Sequence, residues 1–287
     1  MIYVSTEKID LYILVLTALN IPHDVKAVGN GFLILIDEKN MEQACCHIMT
    51  YFKENPDEGS GEEKATTRPL HPGKEKTGLL IALLILGIHL FSEWPGDRDS
   101  LIDMYAASSR HILNGEVYRA LTALFFHDGT PHLLANMAGM AFFGSIACAM
   151  AGSGIGLFSI LLSGVFGNLL TAFCYTEVWH QSIGSSTAVF GAIGLITGQE
   201  FMIRKRISRN RFRAYLPLGA AISLLAFLSA GPRTDIMAHL FGLLCGIMAG
   251  VILVALEPLA HGGLRVQQAA LVSSILFTIT AFFSPFL

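Results

Sequence analysis

From residue 77 onward the chain is a succession of long uncharged stretches separated by short polar breaks. Residues 129–176, 178–199, 214–232, 236–256 and 266–287 hold no Asp, Glu, Lys or Arg. Crossing the ~30 Å hydrocarbon layer takes about 20 apolar residues in a helix. The longest stretch is twice that, and Ala151-Gly152-Ser153-Gly154 divides it into two spans. An apolar run at 77–92, with Trp94 at its interface, adds a first span, so the pattern predicts seven.

The first 54 residues follow different periods. Leu11, Leu14, Val15 and Ala18 fall at helical spacing after Thr6, whereas Val25 and Ala27 alternate with polar residues. Gly29-Asn30-Gly31 supplies a turn that tolerates positive φ, Phe32 to Ile36 reads as a strand, and 37–52 reads as a second helix. The expectation is a small α+β domain over 1–54, with an edge strand at residues 2–4. Residues 55–76 have the Pro, Gly and charge content of a linker. The spans then divide into a six-helix core at 77–256 and a C-terminal loop and extra helix at 257–287.

Composition agrees: 53% of the 287 residues are hydrophobic and only 14% charged, against roughly 25% charged in a soluble chain. The net charge of −3 gives no reason to expect a nucleic-acid partner. The N-terminus carries Glu7, Lys8 and Asp10 rather than a basic segment before an apolar run, so no signal peptide is expected. Arg204, Lys205, Arg206, Arg209, Arg211 and Arg213 lie between spans four and five with no acid among them. That asymmetry assigns the loop to the cytoplasm. Alternate crossing puts the N-terminus there too, beside Lys74 and Lys76, and the C-terminus outside. The five cysteines lack metal-ligand spacing and read as small core hydrophobes, and His23 and His47 have no ligand-spaced partner.

Polar side chains at membrane depth are costly and face a partner or a cavity. Three groups fall at one membrane level: Gly184 to Gly191 around Ser186, Asp235 to Gly242 around His239, and the His127, His132, Asn136 set. Each has a structural explanation alone. Small residues pack helices, a Ser can bond the carbonyl four residues back, and a buried His is often a packing residue. Gly242, Gly246 and Gly250 recur every fourth residue, which lets their helix pack closely on another. Together the groups supply a nucleophile, a base and, on one helical face, two donors for an anionic oxygen. Asp235, one turn before His239, reads as a helix-start residue beside Thr234.

In these motifs the sequence resembles the rhomboid family of intramembrane serine proteases. Gly184-Ser185-Ser186-Thr187-Ala188-Val189-Phe190-Gly191 matches the family's G-x-S-G-A-x-[FY]-G, with Thr187 in place of Gly. Ala238-His239-Leu240-Phe241-Gly242 matches A-H-x-x-G, and His132-Leu133-Leu134-Ala135-Asn136 matches H-x-x-x-N, with His127 ahead of it. Glu116-Val117-Tyr118-Arg119 matches E-x-W-R, with Tyr for Trp. The N-terminal unit also resembles the cytoplasmic domain of some bacterial members. The resemblance implies an all-α, multi-pass membrane protein and a Ser186–His239 dyad. It further implies oxyanion contacts from His132 and Asn136, with Gly184, Phe190, His127 and Gly242 in support. It implies transmembrane protein substrates, a lipid bilayer as the setting, and no metal or organic cofactor. Span five, with Pro217 and Gly219, is a candidate lateral access route. A rhomboid-like pseudoprotease that binds without cleaving, and a small-solute transporter, are the alternatives. The sequence says nothing of oligomeric state.

Overall fold

The computed structural model describes residues 1–6, 8–29, 31–55, 76–93, 98–176, 179–207, 211–231, 234–256 and 263–286. Most of the expected linker, Asn30 of the turn, Lys74, Trp94 and Arg209 lie outside them. Two compact units are present, one early in the chain and one carrying the long helices.

The first unit contains β1 (Ile2–Ser5), α1 (Ile9–Ala18), β2 (His23–Val28), β3 (Gly31–Ile36) and α2 (Glu38–Glu54). Its antiparallel sheet has the order β1-β3-β2, with Ile2 opposite Ile34 and Val25 opposite Ile34 on the other side. That register puts Val4 and Ile34 on the face covered by the helices, where they meet Leu16, Ala44 and Ile48 in a small core. Gly29 takes φ +59° at the hairpin, a value that Gly adopts without steric cost. The edge strand, the hairpin and both helices are where the hydrophobic pattern puts them.

In the second unit α3 (Thr77–Glu93) is followed by a segment of short elements: α4 (Arg98–Tyr105), β4 (Ala107–Ser108), α5 (Ser109–Leu113) and α6 (Arg119–Thr122). Then come α7 (Thr130–Ala151), α8 (Ser153–Cys174), strand β5 (Gln181–Ser182), α9 (Ser186–Ile207), α10 (Arg211–Leu228), α11 (Ile236–Ala255) and α12 (Leu264–Phe283). Among the described residues five helices are long and apolar enough to cross a membrane: α7, α8, α9, α11 and α12. The shorter apolar helices α3 and α10 stand where spans one and five are expected. Helix α9 is central, with 67% of its apolar window buried, and α12 peripheral, at 11%.

Two boundaries differ from the hydrophobic pattern. The uncharged run at 178–199 does not start as helix: 179–185 are non-helical, with a strand at Gln181–Ser182 and a turn at 184–185, and α9 begins only at Ser186 and runs on through Arg204, Lys205 and Arg206. Gly184, at φ +128°, stops helix from forming earlier. Basic residues in the last turn suit the negative end of the helix dipole. The cysteines also divide: Cys148 and Cys245 are buried, whereas Cys46 and Cys174 are exposed and so are not core hydrophobes.

The peripheral helix α12 is tied in at both ends. Gln267 is buried, accepts hydrogen bonds from the Gly154 and Ile155 N–H groups, and donates one to the Ala151 carbonyl. It thereby satisfies backbone groups left open where α7 stops and α8 starts. Gly152 leaves the room that this side chain occupies, and Gly154 the room for the Gln267 backbone. At the other end Phe282 lies against Phe125 and Tyr105, whose hydroxyl donates to the Phe282 carbonyl at 3.0 Å.

Candidate active site

Three helices, α7, α9 and α11, bring their N-terminal turns together. The helix start at α7 is written in Gly129-Thr130-Pro131, because Pro in the first turn has no N–H to leave unpaired. His132 and Asn136 are one turn apart on that helix. They face the segment before α9. A Cβ at Gly184 would fall 2.7 Å from His132 Nε2 and 3.3 Å from Asn136 Nδ2, so only glycine allows this approach. The turn is fixed by a 3.0 Å bond from the Gly184 N–H to the Ala123 carbonyl, and by the pairing of β5 with β4, Ser182 opposite Ala107. Asn136 Nδ2 is buried and lacks an acceptor among the described residues. A donor held this way costs roughly 1–3 kcal/mol until something accepts from it.

Ser186 is the first residue of α9 and is half-buried. Phe190, one turn on and so on the same face, stacks on His239, with ring centroids 4.4 Å apart and planes at 28°. Below them α9 and α11 are interlocked through glycine. A Cβ on Gly242 would strike the Thr187 carbonyl, one on Gly246 the Gly191 carbonyl, and one on Gly250 the Leu195 carbonyl. The fourfold glycine repeat is therefore a contact surface between these two helices. It sets His239 beside the first turn of α9. Among the described residues no hydrogen bond joins Ser186 to His239. The ring nitrogen Nδ1 pairs instead with Ser229 Oγ at 2.8 Å, leaving Nε2 for any exchange with Ser186.

Thr187, which departs from the family pattern, has a defined place. Its hydroxyl donates to Asn168 Oδ1 at 3.0 Å, and Asn168 Nδ2 donates to the Ala120 carbonyl at 2.8 Å. The chain Thr187–Asn168–Ala120 ties α9 through α8 to α6. Replacing Thr187 by the isosteric Val leaves a buried amide oxygen unpaired, and is expected to lower the unfolding free energy by about 1–2 kcal/mol. Thr187→Ser, which keeps the hydroxyl, should recover most of that. Thermal melts of the two purified variants compare them, and equal melting points would show that the bond contributes nothing.

Asp235 caps α11: Oδ1 accepts the Ala238 N–H at 3.0 Å, and Oδ2 pairs with His180 Nε2 at 2.8 Å. Both oxygens are thus used away from His239. Burial alone would raise this carboxyl, but the bonds from His180 and the Ala238 N–H outweigh it and hold the carboxyl below its ordinary value. A depressed folded-state value means that the charged form is bound more tightly by the fold. Its contribution is complete above the unfolded carboxylate range near pH ~4 and is lost as pH falls through the depressed value. Asp235→Asn keeps a capping side chain and removes the charge. The variant is expected to lose about 1–2 kcal/mol at pH 7, with the gap to wild type closing under acid. Melting curves at graded pH measure it, and a gap independent of pH would rule the charge out.

Behind the donors, His127 accepts the Ser185 N–H on Nε2 at 3.2 Å, with Ser185 Oγ at 3.1 Å. Burial, with smaller effects from His132 and His89, pushes His127 down to about 3. It is therefore neutral near pH 7 and supports the loop rather than exchanging protons. In the segment of short elements after α3, Arg119 is buried. It pairs with Glu116 at 2.7 Å and donates to the Asp103 carbonyl, while the Tyr118 hydroxyl reaches Glu116 at 3.0 Å. Tyr118 thus takes part in the same network as its neighbours. Ser229, Asn168, His180 and Gln267 were not legible as participants, because each acts on a residue distant in sequence and belongs to no periodic pattern.

Residues 114–256 match the rhomboid domain family. The chain is 28% identical to Rhomboid-like protease 3 of Toxoplasma gondii over 168 residues, which is 58% of this chain and 63% of that protein. It is 28% identical to the rhomboid protease GluP of Bacillus subtilis over 206 residues, 69% of this chain and 38% of that one. It is 32% identical to RHOMBOID-like protein 1 of Arabidopsis thaliana over 138 residues, 48% and 34% of the two chains. The matched region thus spans between about a third and two thirds of these relatives' own lengths.

Proposed function

The chain is a multi-pass membrane protein of the rhomboid family, and from that premise we propose that it is an intramembrane serine endopeptidase working through a Ser186–His239 dyad. The observation that carries this reading is the interlock of α9 and α11, with Gly242 seated on the Thr187 carbonyl and the Phe190 ring on His239. It supports Ser186 and His239 as neighbours on adjoining first turns. Catalytic hydrogen bonds are often long in a free enzyme and tighten with substrate.

In the proposed reaction Ser186 Oγ bonds to a peptide carbonyl carbon while its proton passes to His239 Nε2. The carbonyl electron pair moves to oxygen, where Asn136 Nδ2, the His132 ring and the Ser186 N–H donate to it. Collapse of this adduct breaks the C–N bond, and the amine leaves with the proton from His239. Water then bonds to the acyl carbon as its proton passes to His239, the bond to Ser186 Oγ breaks, and His239 returns that proton to Oγ. The substrates are transmembrane segments of other proteins, met in the bilayer. In this orientation the N-terminus is cytoplasmic, the site lies toward the outside, and residues 1–54 are a cytoplasmic domain.

A fluorophosphonate probe tests the reading directly. Detergent-purified protein should become covalently labelled, with the adduct mapped to Ser186 by peptide mass spectrometry, and should cleave a model transmembrane substrate. Absence of both label and cleavage in folded protein would favour a pseudoprotease.

A further inference from the structure

Three elements meet at the His239 ring. Phe190 of α9 covers one face, α11 carries the residue, and Ser229, just past the end of α10, holds Nδ1 at 2.8 Å. Ser229 is buried, and its N–H bonds to the Leu225 carbonyl at 3.0 Å, so the last turn of α10 continues through it and fixes where its hydroxyl points. Building on the dyad reading above, we infer that Ser229 is a positioning residue for the base, the third member of a Ser186–His239–Ser229 unit.

Stacking on Phe190 fixes the plane of the imidazole but not which edge faces Ser186. A half-turn about the bond from Cβ to the ring would exchange Nδ1 for a carbon, and the bond to Ser229 resists it. The same bond selects the tautomer. For Nε2 to accept the Ser186 proton it must be bare, so the ring proton sits on Nδ1 and is donated to Ser229 Oγ. When Nε2 takes up the proton, the Nδ1–H bond remains and the cation is held in place. In a Ser-His-Asp triad a carboxylate has this task. Here the nearby carboxylate, Asp235, is committed to Ala238 and His180. A neutral oxygen supplies orientation without placing a second charge at the site.

The test compares Ser229→Thr with the isosteric Ser229→Val, and both with Ser229→Ala, in full-length protein cleaving a model transmembrane substrate. Val and Ala are expected to lower kcat about tenfold, the size of one neutral hydrogen bond, with KM unchanged. Fluorophosphonate labelling of Ser186 should slow by the same factor, and Thr should restore both rates. A packing role would move the melting point and leave Val and Thr alike. Equal kcat for Val and Thr, or a change confined to KM, overturns the assignment. Ser186→Ala and His239→Ala in the same assay separate the two readings. If either still cleaves at the wild-type rate, the dyad fails and Ser229 with it. If both are inactive and Val matches Thr, Ser229 alone fails.

Discussion

Cleavage by a Ser186→Ala variant is expected to fall by roughly 10⁴- to 10⁶-fold, and His239→Ala should be about as damaging. Alanine at 186 leaves no oxygen to bond to the substrate carbonyl. Alanine at 239 leaves a hydroxyl with nothing to take its proton. Because the two act in one step, the double variant should be no worse than either single one. That non-additivity is the signature to seek, since independent contributions would multiply. Ser186 is half-buried at a helix start, so Ser186→Ala should melt near wild type. His239→Ala loses the stacking on Phe190 and leaves the Ser229 hydroxyl unpaired, so its melting point should fall, while the glycine contacts between α9 and α11 keep it folded. Residual cleavage within tenfold of wild type, in folded protein, would sink the dyad.

Asn136→Ala is expected to lower kcat about 10²-fold while the melting point holds or rises. The two signs come from the same fact. Asn136 Nδ2 is buried without an acceptor among the described residues, beside the Gly184 turn. In the free protein such a donor is destabilising. In the reaction it meets the oxygen on which negative charge develops, where one preorganised donor is typically worth ~10²–10³ in kcat. A residue kept for packing would lose stability and leave the rate alone. Steady-state cleavage and thermal melts on one preparation decide it. A large drop in melting point with kcat unchanged would assign Asn136 to structure.

Much of this architecture is legible in the sequence. Charge-free runs mark the long helices because a membrane interior penalises every ionised group. The glycine repeat at 242, 246 and 250 announces a close helix contact, though not its partner, which is the backbone of Thr187, Gly191 and Leu195. Less legible is the segment at 179–185. It is as uncharged as a span, yet Gly184 and the two-residue pairing of β5 with β4 keep it out of helix. Strands that short carry no period. The side chains that complete the candidate site are equally silent. Ser229, Asn168 and Gln267 are ordinary polar residues in apolar surroundings, and only the folded contacts reveal that each satisfies a specific group elsewhere. Thr187, an irregularity against the family motif, becomes intelligible once Asn168 is seen to receive its hydroxyl.

The glycine interlock has a kinetic consequence. With carbonyl oxygens occupying the space where side chains would lie at 242, 246 and 250, α9 and α11 cannot slide or rotate past one another without collision. They behave as a single rigid body, and the proposed nucleophile and base travel with it. Any slow motion that accompanies the arrival of a substrate must then be sought in the neighbouring helices. The reacting pair would already be neighbours before the encounter, with only their hydrogen bond left to tighten, and the waiting time would belong to the opening of a path toward them.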